Sequence, residues 1–146
     1  MFSRTTEYAL RAMATMSARP DEYVSAPALS KQIHVPVNYL AKVLQQLSSA
    51  RLICGRRGVG GGYRVARPPE EIRLLDVINA MMPIKRLTAG PGTPTDDGAP
   101  LYRKLDLVLA RVMETLAEVT LADLSGGGLP GAVCQGVPAR VPAGRP

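Results

Sequence analysis

Residues 54–67, Cys-Gly-Arg-Arg-Gly-Val-Gly-Gly-Gly-Tyr-Arg-Val-Ala-Arg, constrain this chain more than any other stretch. Glycines at 58, 60, 61 and 62 interrupt any helix and allow the backbone a tight reversal. Leu52-Ile53 enters the turn and Tyr63–Ala66 returns from it, both with strand composition. Arg56 and Arg57 stand before the glycines, Arg64 and Arg67 after them, with no acid between. The stretch reads as a basic β-hairpin. Directly before it lie two helical segments separated by a tight turn. Two helices followed by a basic hairpin make a winged helix-turn-helix, a shape that reads duplex DNA.

The helices follow from apolar spacing. Thr5 or Thr6 can cap a first helix through about Ala18, with Tyr8, Ala9, Ala12, Met13 and Met16 on one face. Tyr23-Val24 fits a single short strand. Ser25 is a suitable N-cap for a second helix, with Pro27 in its first turn and Ala28, Leu29 and Ile33 buried. His34-Val35 forms the turn. A third helix runs from Pro36 to about Ala50. Val37, Leu40, Val43, Leu44 and Leu47 form its apolar side; Asn38, Lys42, Gln45, Gln46, Ser48 and Ser49 face away. After the hairpin and Arg67-Pro68-Pro69, Ile72–Met81 reads as a fourth helix ending at Pro83.

The fold class is therefore mainly α with a small β-hairpin: a winged helix-turn-helix DNA-binding domain plus a long dimerisation helix. The DNA-binding domain spans 1–83 and a loop spans 84–100. The long helix and a short terminal helix, Thr120–Leu124, occupy 101–124. Residues 125–146, mostly Gly, Pro, Ala and Val, are expected to be a disordered tail. Leu101, Leu105, Val108, Leu109, Val112, Met113 and Leu116 give the long helix a nearly continuous apolar seam. A seam that apolar needs a cover. A second subunit would bury it, and folding back onto its own domain is the alternative.

Charge narrows the partner. Lys and Arg outnumber Asp and Glu 18 to 12, and residues 1–73 hold 11 basic against 5 acidic side chains. The whole excess lies in the half that carries the hairpin, which favours a polyanion. With no Trp and Phe2 as the only Phe, the core must be aliphatic. The two cysteines, Cys54 and Cys134, make no disulfide framework and no CxxC pair. No apolar run approaches the ~18–20 residues of a membrane helix, and no secretory signal is visible; the expected compartment is the cytoplasm. No nucleophile with a base, paired carboxylates or phosphate-binding loop with Lys-Ser/Thr supports an enzyme.

The DNA-reading candidates follow from position. In a helix-turn-helix the start of the second helix meets the base edges. Here it carries Asn38, Tyr39 and Lys42. Asn suits adenine and Lys suits guanine; Tyr39 also adjoins the core face. On the wing, Arg56, Arg57 and Arg64 suit a narrow minor groove. Gly58, Gly61 and Gly62 let the backbone approach the sugar-phosphate rail. Ser3, Thr5 and Thr6, at the start of the first helix, are candidate phosphate donors.

These residues carry a family resemblance. Leu29-Ser30, Tyr39-Leu40, Val43-Leu44, Leu47, Arg57-Gly58, Gly61-Gly62-Tyr63, Ala66-Arg67 and Asp76-Val77-Ile78 together resemble the Rrf-two family of bacterial transcription regulators, over about residues 1–124. The resemblance implies a homodimer with crossed long helices that binds partly palindromic promoter sites. It implies recognition-helix contacts at Asn38, Tyr39 and Lys42 and a minor-groove wing at Arg57-Gly58. Many members hold an iron–sulfur cluster on three cysteines in the loop before the long helix. Here Gly90 and Ala99 stand at two of those places, and residues 84–104 contain no Cys or His. Asp96 and Asp97 are hard donors, unlike the thiolates a cluster requires. The expectation is a regulator with no cofactor and no metal.

The leading expectation is thus a sequence-specific, homodimeric DNA-binding regulator, acting as a repressor, with a small-molecule effector left open. Cys54, at the base of the wing beside Arg56 and Arg57, is either a redox switch or a small packed residue. His34 suits the turn better than a metal. A reading of a different kind has the basic wing dock an acidic protein partner, with DNA secondary.

Overall fold

The structure, a computed structural model, describes residues 2–87 and 99–125. In chain order it contains α1 (Arg4–Ser17), α2 (Ala26–Ile33), α3 (Val37–Ser49), β1 (Ile53–Arg56), β2 (Gly62–Val65), a 3-10 turn (Pro69–Glu71), α4 (Leu74–Met81), α5 (Ala99–Glu118) and α6 (Leu121–Ser125). Among the described residues no helix is long and apolar enough to cross a membrane.

α1 begins two or three residues earlier than the threonines implied. Ser3 is the N-cap, and its Oγ accepts from the Thr6 N–H at 3.2 Å. Ser25 caps α2 by accepting from the Ala28 N–H at 3.3 Å, with Pro27 in the first turn as expected. His34 ends α2 in the left-handed conformation (φ 55°), which turns the chain directly into α3. α4 starts at Leu74, not Ile72. The Asp76 carboxylate accepts from the Arg73 N–H at 3.0 Å and fixes that start. Ile72 lies before the helix and is fully buried.

The core is aliphatic, as the composition required. Met13 and Met16 of α1, Leu29 and Ile33 of α2, Leu40, Leu44 and Leu47 of α3, Val77 and Ile78 of α4 and Leu121 of α6 are all buried. Two predicted core positions lie outside it. Val37 is exposed because it sits in the first turn of α3, beyond the packed face. Ala28 is exposed, and Ala26 packs inward in its place.

β1 and β2 pair antiparallel, with Ile53 opposite Val65, Cys54 opposite Arg64, Gly55 opposite Tyr63 and Arg56 opposite Gly62. Val24 joins as a third, single-residue strand. Its N–H donates to the Tyr63 carbonyl at 2.9 Å, and its carbonyl accepts from the Tyr63 N–H at 2.8 Å. This is the short strand expected at Tyr23-Val24. Buried Ile53 and Val65 anchor the base of the hairpin in the core.

α5 covers the expected long helix but begins at Ala99, within the stretch read as loop. Gly90 and residues 126–146, including Cys134, lie outside the described residues. Near the start of α5, Arg86 forms a two-pronged ion pair with Asp106, and the Leu87 N–H donates to the same carboxylate at 3.1 Å. The Arg86 guanidinium holds the Asp106 carboxyl below its ordinary range, against the opposing effect of burial.

Gly62 is where hairpin and helices meet most closely. Its φ is +136°, and a Cβ there would lie 2.3 Å from the Val24 carbonyl oxygen. A side chain would be strained in conformation and would push Val24 off the hairpin. Gly62→Ala should cost about 1–3 kcal/mol of stability. Urea unfolding checks this, and an unchanged midpoint would mean that the Val24 attachment is soft.

Candidate nucleic-acid interface

α3 presents its polar side without cover. Asn38, Lys42, Gln45 and Gln46 are exposed, and Tyr39 is 63% exposed. Of the two places open to Tyr39 in the sequence, surface and core, it occupies the surface. The reason is helical phase: Leu40, Val43, Leu44 and Leu47 fill the inward stripe, and Tyr39 precedes that stripe. Pro36 caps α3 with no side-chain hydrogen bond, and Pro36, Val37 and Asn38 at the helix start are exposed.

An open groove of about 480 Å³ runs between the start of α1 and α3, lined by Thr5, Tyr8, Tyr39, Lys42, Val43, Gln45 and Gln46. Exposed hydroxyls, amides and one ammonium converge there with no carboxylate in the lining. Side-chain hydroxyls, amides and ammonium groups of this kind are the usual donors to phosphate oxygens. Tyr8 and Gln46 were not among the residues expected here. Tyr8 reads as core from its spacing, but it is only half-buried and its ring forms one wall.

Thr6 is a correction. It is fully buried, and its Oγ1 lies 3.0 Å from Ser3 Oγ. Its hydroxyl closes the start of α1 and offers nothing to a phosphate. Ser3 and Thr5 remain at the surface, although Ser3 Oγ is engaged as the cap.

On the wing, the arginines divide by role. Arg56 is exposed, but its Nη2 donates to the Gly60 carbonyl at 3.0 Å and its guanidinium lies 4.5 Å from the centre of the Tyr23 ring. Arg64 stacks on the same ring at 5.0 Å. Cys54 opposite it and then the Tyr23 phenol hold its guanidinium more firmly protonated than usual. Its Nε is buried without a hydrogen-bond partner among the described residues. Both side chains are therefore turned back to brace the hairpin, contrary to the expectation that they reach outward. Cation–π contact of this kind contributes about 0.5–1 kcal/mol at exposed sites. Arg57 alone of the three is exposed with no hydrogen bond, ion pair or ring contact among the described residues. Tyr23 carries no sequence signal for this stacking; its place becomes evident only once Val24 joins the hairpin.

The glycines also divide. At Gly58 (φ +94°) the space around the missing side chain is open. At Gly61 a Cβ would lie 2.3 Å from the Arg56 carbonyl oxygen, and at Gly62 it would strike Val24. Contacts within the chain, rather than clearance for a DNA backbone, require glycine at 61 and 62. Cys54 is half-buried at the hairpin base. His34 is exposed in the turn. Among the described residues no three His, Cys, Asp or Glu side chains gather as a metal site.

Comparison with known proteins meets this geometry. The model of the Rrf2 family, described as an iron-dependent transcriptional regulator, matches residues 2–126. A helix-turn-helix-type transcriptional regulator of Mycobacterium tuberculosis is 33% identical over 144 residues, covering 91% of this chain and 86% of that protein. BadM of Rhodopseudomonas palustris, of the same type, is 44% identical over 75 residues, which span 51% of this chain and only 48% of BadM. Among solved structures, CymR, the global cysteine regulator of B. subtilis, superposes with a TM-score of 0.74 at 21% identity, over 86% of this chain and 96% of CymR. IscR of T. potens does so with a TM-score of 0.68 at 25% identity, over 85% of each chain. The CymR likeness is one of fold.

Proposed function

We propose that this chain, which belongs to the Rrf2 family of DNA-binding transcriptional regulators, acts as a homodimeric repressor on a partly palindromic duplex site and does so without an iron–sulfur cluster. The observation that carries the DNA-reading part is the division of labour on the wing. Two arginines brace the hairpin on Tyr23 and leave Arg57 unengaged beside its tip. In this reading α3 enters the major groove with Asn38 and Lys42 at base edges, and Arg57 enters the adjacent minor groove. Thr5 and the α1–α3 groove hold the backbone. Repression follows from occupancy of a promoter, with no further surface required.

Sites selected from fragmented genomic duplex DNA by the purified full-length chain test this reading. A single partly palindromic motif is the expected result. On that motif Arg57→Ala should weaken binding by about 1–3 kcal/mol, read by fluorescence anisotropy. Equal affinity of the variant and the parent would remove the wing from the groove.

The dimer reading rests on α5. Leu101, Leu105, Leu107 and Val108 are exposed on this 20-residue helix, and Leu109, Val112 and Met113 are only half-buried. Leu116 is the exception, since it packs on the chain's own core. The uncovered apolar surface is wider than one seam, because Leu107 lies outside the predicted stripe. A second copy of the helix would cover it, at about 25 cal/mol per Å² of apolar area removed from water. Leu105→Asp leaves the core untouched and should convert a dimer to a folded monomer in sedimentation velocity. A dimer of unchanged affinity would place the interface elsewhere.

The absence of a cluster is argued from donors. Residues 84–104, where the family's cysteines are expected, hold no Cys and no His. Asp106, the nearest described carboxylate on α5, is engaged by Arg86. These residues do not fit the soft thiolate set that an iron–sulfur cluster needs. Anaerobic reconstitution with iron and sulfide should leave the protein colourless. Stoichiometric iron with visible absorption would overturn this part of the reading alone.

A further inference from the structure

Val59 has no neighbour. It is 106% exposed, the most exposed large apolar side chain among the described residues, and it stands at the tip of the wing. The turn that carries it is closed: the Gly61 N–H donates to the Gly58 carbonyl at 3.0 Å, with Val59 and Gly60 at the two central positions. Gly60 has φ +71°, the value a type II turn demands at its second central residue. The Arg56 guanidinium holds the Gly60 carbonyl at 3.0 Å while stacked on Tyr23. The tip is thus a fixed backbone carrying one small, β-branched side chain outward. Such a side chain has few rotamers to lose on contact. The glycines flanking it leave the tip slender.

A slender, apolar tip beside a free arginine matches one kind of surface. The minor groove of duplex DNA is about 6 Å wide, and its floor distinguishes A·T from G·C chiefly by the guanine N2 amino group. An A·T floor offers acceptors and no projecting donor. A G·C floor projects that amino group, and valine can neither accept its hydrogen bond nor yield room for water to do so. A donor buried in this way goes unpaired and carries its desolvation cost. Arg57 supplies attraction to the negative potential of a narrow groove, and that potential is strongest in A·T tracts.

We infer that Val59 is a specificity-determining residue, which rejects G·C pairs under the wing by meeting the guanine N2 amino group with an apolar surface. The inference rests on the proposed placement of the wing in the minor groove, and it adds the chemical basis of discrimination there.

The test uses the full-length chain and the duplex selected from genomic fragments. The wing-facing pairs are those protected from hydroxyl-radical cleavage by the parent but not by Arg57→Ala. Three duplexes then carry A·T, G·C or inosine·C at those pairs. Inosine lacks the N2 amino group while keeping the major-groove edge of guanine. The parent should bind the G·C duplex about tenfold less tightly than the A·T duplex, the usual scale for one mismatched pair, and inosine·C should restore most of the loss. Val59→Ser, whose hydroxyl can accept from the amino group, should bind G·C and A·T within about twofold of each other. Val59 packs against nothing, so neither Val59→Ser nor Val59→Ala should alter the unfolding midpoint. An unchanged A·T to G·C ratio in Val59→Ser, or no recovery with inosine, would overturn the inference. If Arg57→Ala leaves both affinity and protection unchanged, the wing placement itself fails, and the inference fails with it. A weakened Arg57→Ala with an unaltered Val59→Ser ratio sinks the Val59 role alone.

Discussion

Two backbone hydrogen bonds between Val24 and Tyr63 hold the wing to the helices. A two-stranded hairpin alone is marginal in water. Here β1 and β2 are four residues each, and the glycine turn contributes no packing. The third strand, although a single residue, sits directly before α2, so the hairpin is tied to the first helix of the helix-turn-helix. Gly62 makes this approach possible because nothing projects toward the Val24 carbonyl. Tyr23 then lies beside the hairpin, where both Arg56 and Arg64 reach its ring. One backbone bridge thus decides which arginines brace the wing and which one remains free.

That sequence of causes explains what could and could not be read from the chain. The elements were legible because each has a local cause: Ser25 and Pro27 for the start of α2, the Leu40/Val43/Leu44/Leu47 stripe for α3, the glycines for the turn. The start of α3 was legible as a surface because its polar residues are fixed by helical phase. What failed depended on which side chains take which partners, near or far in sequence. Thr6 looks like Thr5 until Ser3 takes the capping position and turns the Thr6 hydroxyl inward. Arg56, Arg57 and Arg64 are alike as residues and are told apart chiefly by Tyr23, which lies more than thirty residues before them in the chain. Gly61 and Gly62 stood out as points where a DNA backbone could approach, but the crowding that requires glycine there comes from Arg56 and Val24. Val59 carried no signal at all, because an isolated apolar residue in a glycine turn is ordinarily unremarked surface.

The long helix raises a different question: how a contact made at α5 is felt at α3. Its C-terminal end is fastened to the start of α4. Arg73 Nη1 donates to the Ala117 carbonyl at 2.7 Å, the Leu74 N–H to Val119 at 2.9 Å and the Leu121 N–H to Ile72 at 2.9 Å. Leu121 and Ile72 are both fully buried. These bonds join the C-terminal end of α5 to the body through backbone and core. The N-terminal half of α5 is held differently, by the Arg86–Asp106 pair, whose arginine is half-exposed. An ion pair in that setting contributes little stability.

The C-terminal end of α5 is thus tied to α4 by backbone hydrogen bonds and buried side chains, and its N-terminal half meets residues 86 and 87 through Asp106. Helix-turn-helix dimers read two half-sites about 34–36 Å apart, a spacing that tolerates little error. In the proposed dimer the angle between paired long helices sets the separation of the two copies of α3. Because α5 is about 30 Å long, a small change of that crossing angle displaces its far end by several ångströms. Residues 86 and 87 lie against the N-terminal half of this helix, through Asp106. The family resemblance puts the iron–sulfur loop at this same end. In this chain residues 84–104 hold no thiolate.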